Sequence, residues 1–259
     1  YGLIGPNGAG KITTIDLIMG MGREDAGTIH VFGLDHIQDE VVVKRQIGYV
    51  SPDLSFDAWR KVYKLLRFIR QFYPDWDEEY CLSLLKRFGI GLHDTISTLS
   101  FGSRTKLSLV VALSHRPRLL LLDEPQSGLD AVSKRELFAE LLAAVQDEER
   151  TVLIASNNLD DVERFTDHIG MIKDGRILLE GSTADLINRF RMVDCAIPDG
   201  KAPTGIPGVY PQEQRGNRWR LLVDISSDPI ARIETLGATD VADAPVTLEE
   251  LFVALVKGS

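Results

Sequence analysis

The sequence predicts an α/β fold with a mostly parallel sheet, and three observations carry that expectation. A glycine-rich stretch, "GPNGAGKITT" from Gly5 to Thr14, follows a short apolar strand and opens a helix. A continuous apolar run, "RLLLLDEP" from Arg118 to Pro125, ends in two carboxylates. A strand apolar on both faces belongs in the middle of a parallel sheet, and its C-terminal end is where α/β proteins place their chemistry. Around these, strand-like and helix-like stretches alternate, the pattern of an α/β core.

Each element has its own reason. Tyr1-Gly2-Leu3-Ile4 reads as a buried strand. The helix after the loop carries Ile15, Leu17, Ile18 and Met19. "GTIHVFG", Gly27 to Gly33, reads as a strand between turn glycines, and "QIGYV", Gln46 to Val50, as another. From Trp59 to Phe72, Trp59, Val62, Tyr63, Leu66, Ile69 and Phe72 keep helical spacing, and Pro74 stops the helix. Glu78 to Phe88 is a second helix, ended at Gly89. The aromatics of "FYPDWD", Phe72 to Asp77, suit either the local core of a small helical lobe or a partner-docking surface.

After the apolar run, Lys134 to Val145 reads as helix, "TVLIAS" (Thr151 to Ser156) as strand and Leu159 to Phe165 as helix. His168 to Lys173 is a strand, turned by Asp174-Gly175 into "RILLEG". Ser182 to Phe190 is a helix with a serine N-cap and Asp185 in its first turn. Composition shifts near residue 191, where Pro198, Gly200, Pro203, Gly205, Pro207, Gly208 and Pro211 suggest loops. "WRLLVDIS" reads as a strand, and "TLEELFVALV" as a closing helix with Thr247 and Glu250 at capping-box spacing. The expected domains are therefore residues 1–190, with a helical lobe over about 53–115, and a small α+β accessory region over 191–259. The chain begins in the strand that feeds the glycine-rich loop. Such a loop ordinarily has sheet ahead of it, so further N-terminal strands are expected before residue 1.

Composition narrows the function. The chain has 259 residues, 44% of them hydrophobic, enough for a large core. A formal net charge of -9 offers no general basic surface and argues against a nucleic-acid partner. Cys81 and Cys195 lie far apart without metal-binding spacing. No apolar run reaches the roughly 18 residues that span a bilayer, so a membrane task would need a membrane partner.

The glycine-rich loop has a chemistry of its own. Gly5, Gly8 and Gly10 let the backbone curl so that N–H groups point inward, and a helix N-terminus behind them completes an anion nest. Pro6, Asn7 and Ala9 fill the remaining loop positions. Lys11 would reach terminal phosphates as a point charge. The following position ordinarily supplies a hydroxyl for Mg²⁺ but holds Ile12. Thr13 carries a hydroxyl, yet one helical step turns it by about 100°.

Together these segments resemble the ATP-binding subunit of an ABC transporter, a P-loop NTPase. Gly5 to Thr13 is similar to its Walker A loop, "LSFGS" (Leu99 to Ser103) to the signature usually written LSGGQ, "LLLLDEP" to Walker B, and "SGLD" (Ser127 to Asp130) to the D-loop. The resemblance covers roughly residues 1–190. The aromatic lobe and the "VTLEELFVALV" tail resemble ATPases of ABC-2-type bacterial exporters. The resemblance implies ATP and Mg²⁺ as ligands, an integral membrane subunit as partner, and a second ATP-binding chain, identical or different, sandwiching nucleotide head to tail. It implies a place on the cytoplasmic face of the membrane. By the same resemblance, Asp123 would hold Mg²⁺, Glu124 would orient or deprotonate the attacking water, Ser100 and Gly102 would touch the γ-phosphate across the dimer, and Asp130 would belong to the binding site.

Four departures stand out. Ile12 replaces the magnesium hydroxyl, Pro52 stands at the Q-loop glutamine, Asn157 stands at the switch histidine, and Phe101 with Ser103 alters the signature. Gln126, for the usual Thr, is milder. Ile cannot ligate a hard cation. Pro52 lacks both a side-chain carbonyl and an N–H. Asn157 cannot carry a proton as histidine does, and equally suits an N-cap for the helix near Leu159. The primary expectation is an ATPase coupled to export. The alternative is a degenerate nucleotide-binding partner with little or no hydrolysis.

Overall fold

The computed structural model describes residues 1–146, 150–198, 203, 205–227, 233, 235 and 237–257. They form two compact units: Tyr1 with Gly10–Asn157, and Gly2–Ala9 with Asn158–Ser259.

The first unit is built on three parallel strands, β4 (Ile47–Val50), β5 (Leu119–Asp123) and β6 (Thr151–Ser156), in that spatial order. Tyr49 lies opposite Leu121, and Leu121 opposite Leu153. β5 is the central strand, and Leu120, Leu121 and Leu122 are fully buried, which is why its sequence lacks alternation. Helix α1 (Lys11–Ile18) and helix α2 (Glu40–Arg45) contribute Ile15 and Val43 to a core with Val31, Ile47, Leu121 and Ala155. Before α2, strands β2 (His30–Val31) and β3 (Leu34–Asp35) make a hairpin. The expected strand from Gly27 to Gly33 is thus shorter, because Phe32 and Gly33 take positive φ (53° and 79°) and form the turn.

Between β4 and β5 the described elements are helical: α3 (Val62–Ile69), α4 (Glu78–Arg87), α5 (Phe101–Leu113) and short 3₁₀ turns. The expected Trp59–Phe72 helix is corrected at both ends. Arg60 at φ 61° separates Trp59 from α3, and Arg70–Phe72 tighten into a 3₁₀ turn. Trp59 still stacks on Phe68, with centroids 4.2 Å apart. Asp77 caps α4 by accepting the Tyr80 N–H at 2.8 Å, and Gly89 at φ 66° follows its end. α5 lies directly against β4: a Cβ added to Gly48 would stand 2.5 Å from the Ala112 carbonyl oxygen. After β5, α6 (Ala131–Gln146) starts three residues before the expected Lys134, because Asp130 caps it.

In the second unit, β1 (Gly2–Ile4) pairs in parallel with β7 (His168–Lys173), which pairs antiparallel with β8 (Arg176–Ser182) through the Asp174-Gly175 turn. α7 (Leu159–Phe165) matches expectation; α8 (Thr183–Arg189) keeps its expected cap, with Ser182 accepting the Asp185 N–H at 3.2 Å, but ends one residue early because Phe190 is extended and opens the next strand. A four-stranded antiparallel sheet follows: β10 (Val209–Arg215), β11 (Arg218–Asp224), β9 (Phe190–Ala196) and β12 (Thr239–Pro245), in that spatial order. The loops expected after residue 191 are corrected here, since Pro211 sits inside edge strand β10 next to a register shift. Gly200 lies outside the described residues. The C-terminal helix Leu248–Lys257 carries the expected capping box, with Thr247 N–H donating to Glu250 at 3.0 Å and Glu250 N–H to Thr247 Oγ1 at 3.1 Å. Its Leu248, Leu251 and Ala254 join Ile4, Val162, Ile169, Met171, Phe190 and Leu222 in the core. No helix among the described residues is long and apolar enough to cross a membrane.

Candidate ATP-binding site

The glycine-rich loop curls as its composition requires. Gly8 and Gly10 hold positive φ (79° and 110°), and Ala9 N–H donates to the Pro6 carbonyl at 3.2 Å. Gly5 is closely packed: a Cβ there would meet the Ile172 carbonyl oxygen at 2.4 Å. Ala9 is buried and its carbonyl accepts from Gly175 N–H at 2.9 Å, whereas Asn7 is exposed. At the start of α1, Lys11 is only 6% exposed and Ile12 is 52% exposed. Thr13 is exposed, and the Thr14 hydroxyl donates to the Gly10 carbonyl at 2.8 Å.

Asp123 and Glu124 end β5. Burial pushes the Asp123 carboxyl up to about 6, helped by the charges of Glu124 and Asp53 and opposed by Lys11. Burial also raises Glu124, against the hydrogen bond from Asn157 and the charge of Lys11. Lys11 is lowered by burial, with Glu124 and Asp123 opposing that shift. These three groups thus form one electrostatic neighbourhood. Asp123 Oδ1 is buried without a hydrogen-bond partner among the described residues, an oxygen suited to a cation. Glu124 adopts φ 40°, an uncommon conformation for a non-glycine residue. Its Oε1 accepts the Asn157 backbone N–H at 2.8 Å, and its Oε2 accepts the Ser156 hydroxyl at 3.3 Å.

Sequence reasoning missed the buried surroundings of Glu124. Gln126 Nε2 donates to Ser156 Oγ at 2.5 Å and to Glu124 Oε2 at 3.4 Å. Gln126 was visible only as a departure from a motif, and Ser156 only as a strand end.

The remaining predicted residues sit elsewhere in the first unit. Ser100 caps α5, its oxygen accepting the Ser103 N–H at 3.2 Å, and Gly102 lies in the first turn, close to Leu129. Asp130 caps α6 through Val132 N–H (2.9 Å), Ser133 N–H (3.0 Å) and the Ser133 hydroxyl (2.7 Å), and these bonds lower its carboxyl. Pro52 and Phe101 line one cleft of about 100 Å³ with Asp57, Ile96 and Arg104.

Residues 1–127 match the ABC transporter family. The Nod factor export ATP-binding protein I of Neorhizobium galegae is 30% identical over 268 residues, covering 98% of this chain and 76% of its own length. The chain belongs to the ABC transporter ATP-binding family. ABC transporter ATP-binding protein YtrB of Bacillus subtilis (strain 168) is 29% identical across 100% of this chain and 89% of its own length. Four further relatives are matched over 58% to 62% of their length. A solved ATP-binding subunit of an ABC transporter superposes with a TM-score of 0.66 at 26% identity, covering 72% of this chain and 80% of that one. The α/β, mostly parallel fold and the ATPase class expected from the sequence stand on these findings, and this ABC chain is a nucleotide-binding ATPase subunit of a transporter. They give no support to the degenerate alternative.

Proposed function

We propose that this ABC chain is the ATPase of an exporter, working at the cytoplasmic face of a membrane with a separate integral membrane subunit. A second ATP-binding chain, identical or different, would complete the nucleotide sites, and no nucleic acid takes part. The domain limits proposed are residues 1–190 for the ATP-binding domain, with its helical lobe over about 53–115, and 191–259 for the accessory region. The observation that carries the reading is the cluster of buried Lys11, at the start of α1, with buried Asp123 and half-buried Glu124 at the C-terminal end of parallel strand β5. The Neorhizobium relative is a Nod factor export ATP-binding protein, which supports export as the direction of transport.

In this reading Gly5, Pro6, Asn7, Gly8, Ala9, Gly10, Lys11, Ile12 and Thr13 form the phosphate-binding loop. Its N–H groups and the Lys11 ammonium cradle the terminal phosphates. Asp123 would hold Mg²⁺ through its unpartnered Oδ1. Such an ion takes one or two carboxylates, with phosphate oxygens and water filling its octahedron. When bound, Mg²⁺ supplies charge neutralisation at the phosphates. Glu124 accepts a proton from the attacking water as its oxygen bonds to the γ-phosphorus and the bridging oxygen leaves with ADP. Asn157 keeps Glu124 in place through its main-chain N–H. Ser100 and Gly102 would be offered to nucleotide held by the second chain, and Asp130 shapes the adjoining turn.

The test is the ATP dissociation constant of the purified chain with excess Mg²⁺ and with EDTA, beside phosphate release. Tighter binding with Mg²⁺, and release that Glu124→Gln suppresses, is the expected result. Equal affinities and no release would overturn the motor reading.

A further inference from the structure

We propose that Gln126 is a positioning residue, which acts with Ser156 to fix the carboxylate of Glu124 for hydrolysis. This rests on the reading of Glu124 as the group that takes the proton from water.

The geometry is a short donor chain. Gln126 Nε2 donates to Ser156 Oγ at 2.5 Å, and the Ser156 hydroxyl donates to Glu124 Oε2 at 3.3 Å. The same Nε2 also reaches Glu124 Oε2 at 3.4 Å. With Asn157 N–H on Oε1 at 2.8 Å, both carboxylate oxygens are engaged from two elements, the turn after β5 and the end of β6. Donors in series polarise one another, and the middle hydroxyl is fully buried.

Packing alone does not explain a glutamine here. Gln126 is 2% exposed, and its Oε1 has no hydrogen-bond partner among the described residues. A buried, half-satisfied amide costs stability that an apolar side chain of similar shape would not. The one product of that cost visible in the structure is the aim of Nε2 at Ser156 and Glu124. Glu124 itself sits at φ 40°, so backbone strain and side-chain bonds converge on one residue. Strained residues persist when their surroundings over-determine them, and here the Gln126, Ser156 and Asn157 bonds do so.

The experiment compares the wild-type chain with Gln126→Met, Ser156→Ala, Glu124→Gln and the double variant Glu124→Gln/Gln126→Met. Thermal melting first establishes that each is folded. In the nucleotide-free protein, the Asn157 amide proton, bonded to a carboxylate, is followed by ¹⁵N-resolved NMR. Gln126→Met should move it upfield as Glu124 loses its hold, and Ser156→Ala should do the same. With Mg²⁺ and ATP, Gln126→Met should lower kcat about tenfold, as expected for loss of one oriented hydrogen bond to a charged group, with KM within about twofold. In the Glu124→Gln background the same change should have no further effect. An unmoved Asn157 signal in a folded Gln126→Met protein overturns the proposal, as does an equal kcat loss with Glu124 already replaced. If Glu124→Gln keeps wild-type turnover while Gln126→Met still moves the Asn157 signal, the hold on Glu124 stands and the reading of Glu124 as proton acceptor falls instead.

Discussion

Replacing Ile12 with threonine should restore a magnesium ligand at little cost to the fold. Ile12 is 52% exposed, so less than half of its side chain contributes to packing. Threonine keeps the β-branch and one methyl group, and the two residues have similar helix propensity. The change in stability should therefore stay within about 1 kcal/mol, since even full burial of an isoleucine is worth only about 1.5–3 kcal/mol. No neighbouring hydroxyl already does the job. Thr13 points about 100° away around the helix. The Thr14 hydroxyl is bonded to the Gly10 carbonyl at 2.8 Å. A new oxygen facing a cation should be worth about 1.5–3 kcal/mol by analogy with hydrogen bonds to charged groups, a factor of roughly 10 to 150 in binding. Isothermal titration with ATP, in excess Mg²⁺ and in EDTA, measures this directly. The expected result is an ATP Kd at least tenfold lower in Mg²⁺ and unchanged in EDTA. A variant that binds equally in both media to the wild type, or tightens equally in both, refutes the assignment of this position to the metal.

Two further outcomes follow from buried groups. Asp123→Asn should stabilise the nucleotide-free protein at pH 8 while abolishing any benefit of Mg²⁺. The Asp123 carboxyl is raised to about 6, above its ordinary 3.8, so the folded state holds its proton more tightly than the unfolded chain. Stability is then lost as pH rises from about 4 to about 6, on the order of 3 kcal/mol, and the advantage of Asn should shrink as pH falls through that window. Melting curves at pH 5 and pH 8 check it, and a pH-independent difference would contradict it. Gly48→Ala should destabilise the first unit by about 3 kcal/mol, because its Cβ would stand 2.5 Å from a backbone oxygen of α5 that cannot swing aside. Urea unfolding with a loss under about 1 kcal/mol would show that α5 yields easily.

What the sequence made legible depended on how one-sided each element's environment is. β6 and α7 have the bounds read from "TVLIAS" and Leu159 to Phe165, because an uninterrupted apolar strand and an amphipathic helix each leave one dominant signal. β9 escaped because it is covered on both faces: Met192, Val193, Cys195 and Ala196 are all buried, so period-two alternation is absent and its neighbourhood of prolines looked like loop. β10 escaped because Pro211 is tolerated at a bulged edge. The break at Arg60 needed a positive φ that no pattern of apolar residues announces. In the site, Lys11, Asp123 and Glu124 were legible as motifs. The bonds joining Gln126 to Ser156 were not, since 30 residues separate them and only the β5–β6 pairing brings them together.

The same bonds change the weight of one departure. Asn157 stands where a histidine was expected, and a side-chain argument alone would count that as a lost contact. The contact made to Glu124 comes from the Asn157 main-chain N–H, which any residue but proline supplies. Replacing the side chain therefore leaves the hold on Glu124 intact, and Gln126 adds a second hold on the other carboxylate oxygen through Ser156. The departure at Ile12 has no such main-chain substitute, because a cation needs an oxygen that hydrocarbon cannot offer. The two changes thus predict different defects. Weakness should be in Mg²⁺-dependent nucleotide binding, correctable at position 12, whereas Asn157→His alone should alter turnover far less than Ile12→Thr. A larger gain from Asn157→His would show that the side chain at 157, and not its backbone, limits the reaction.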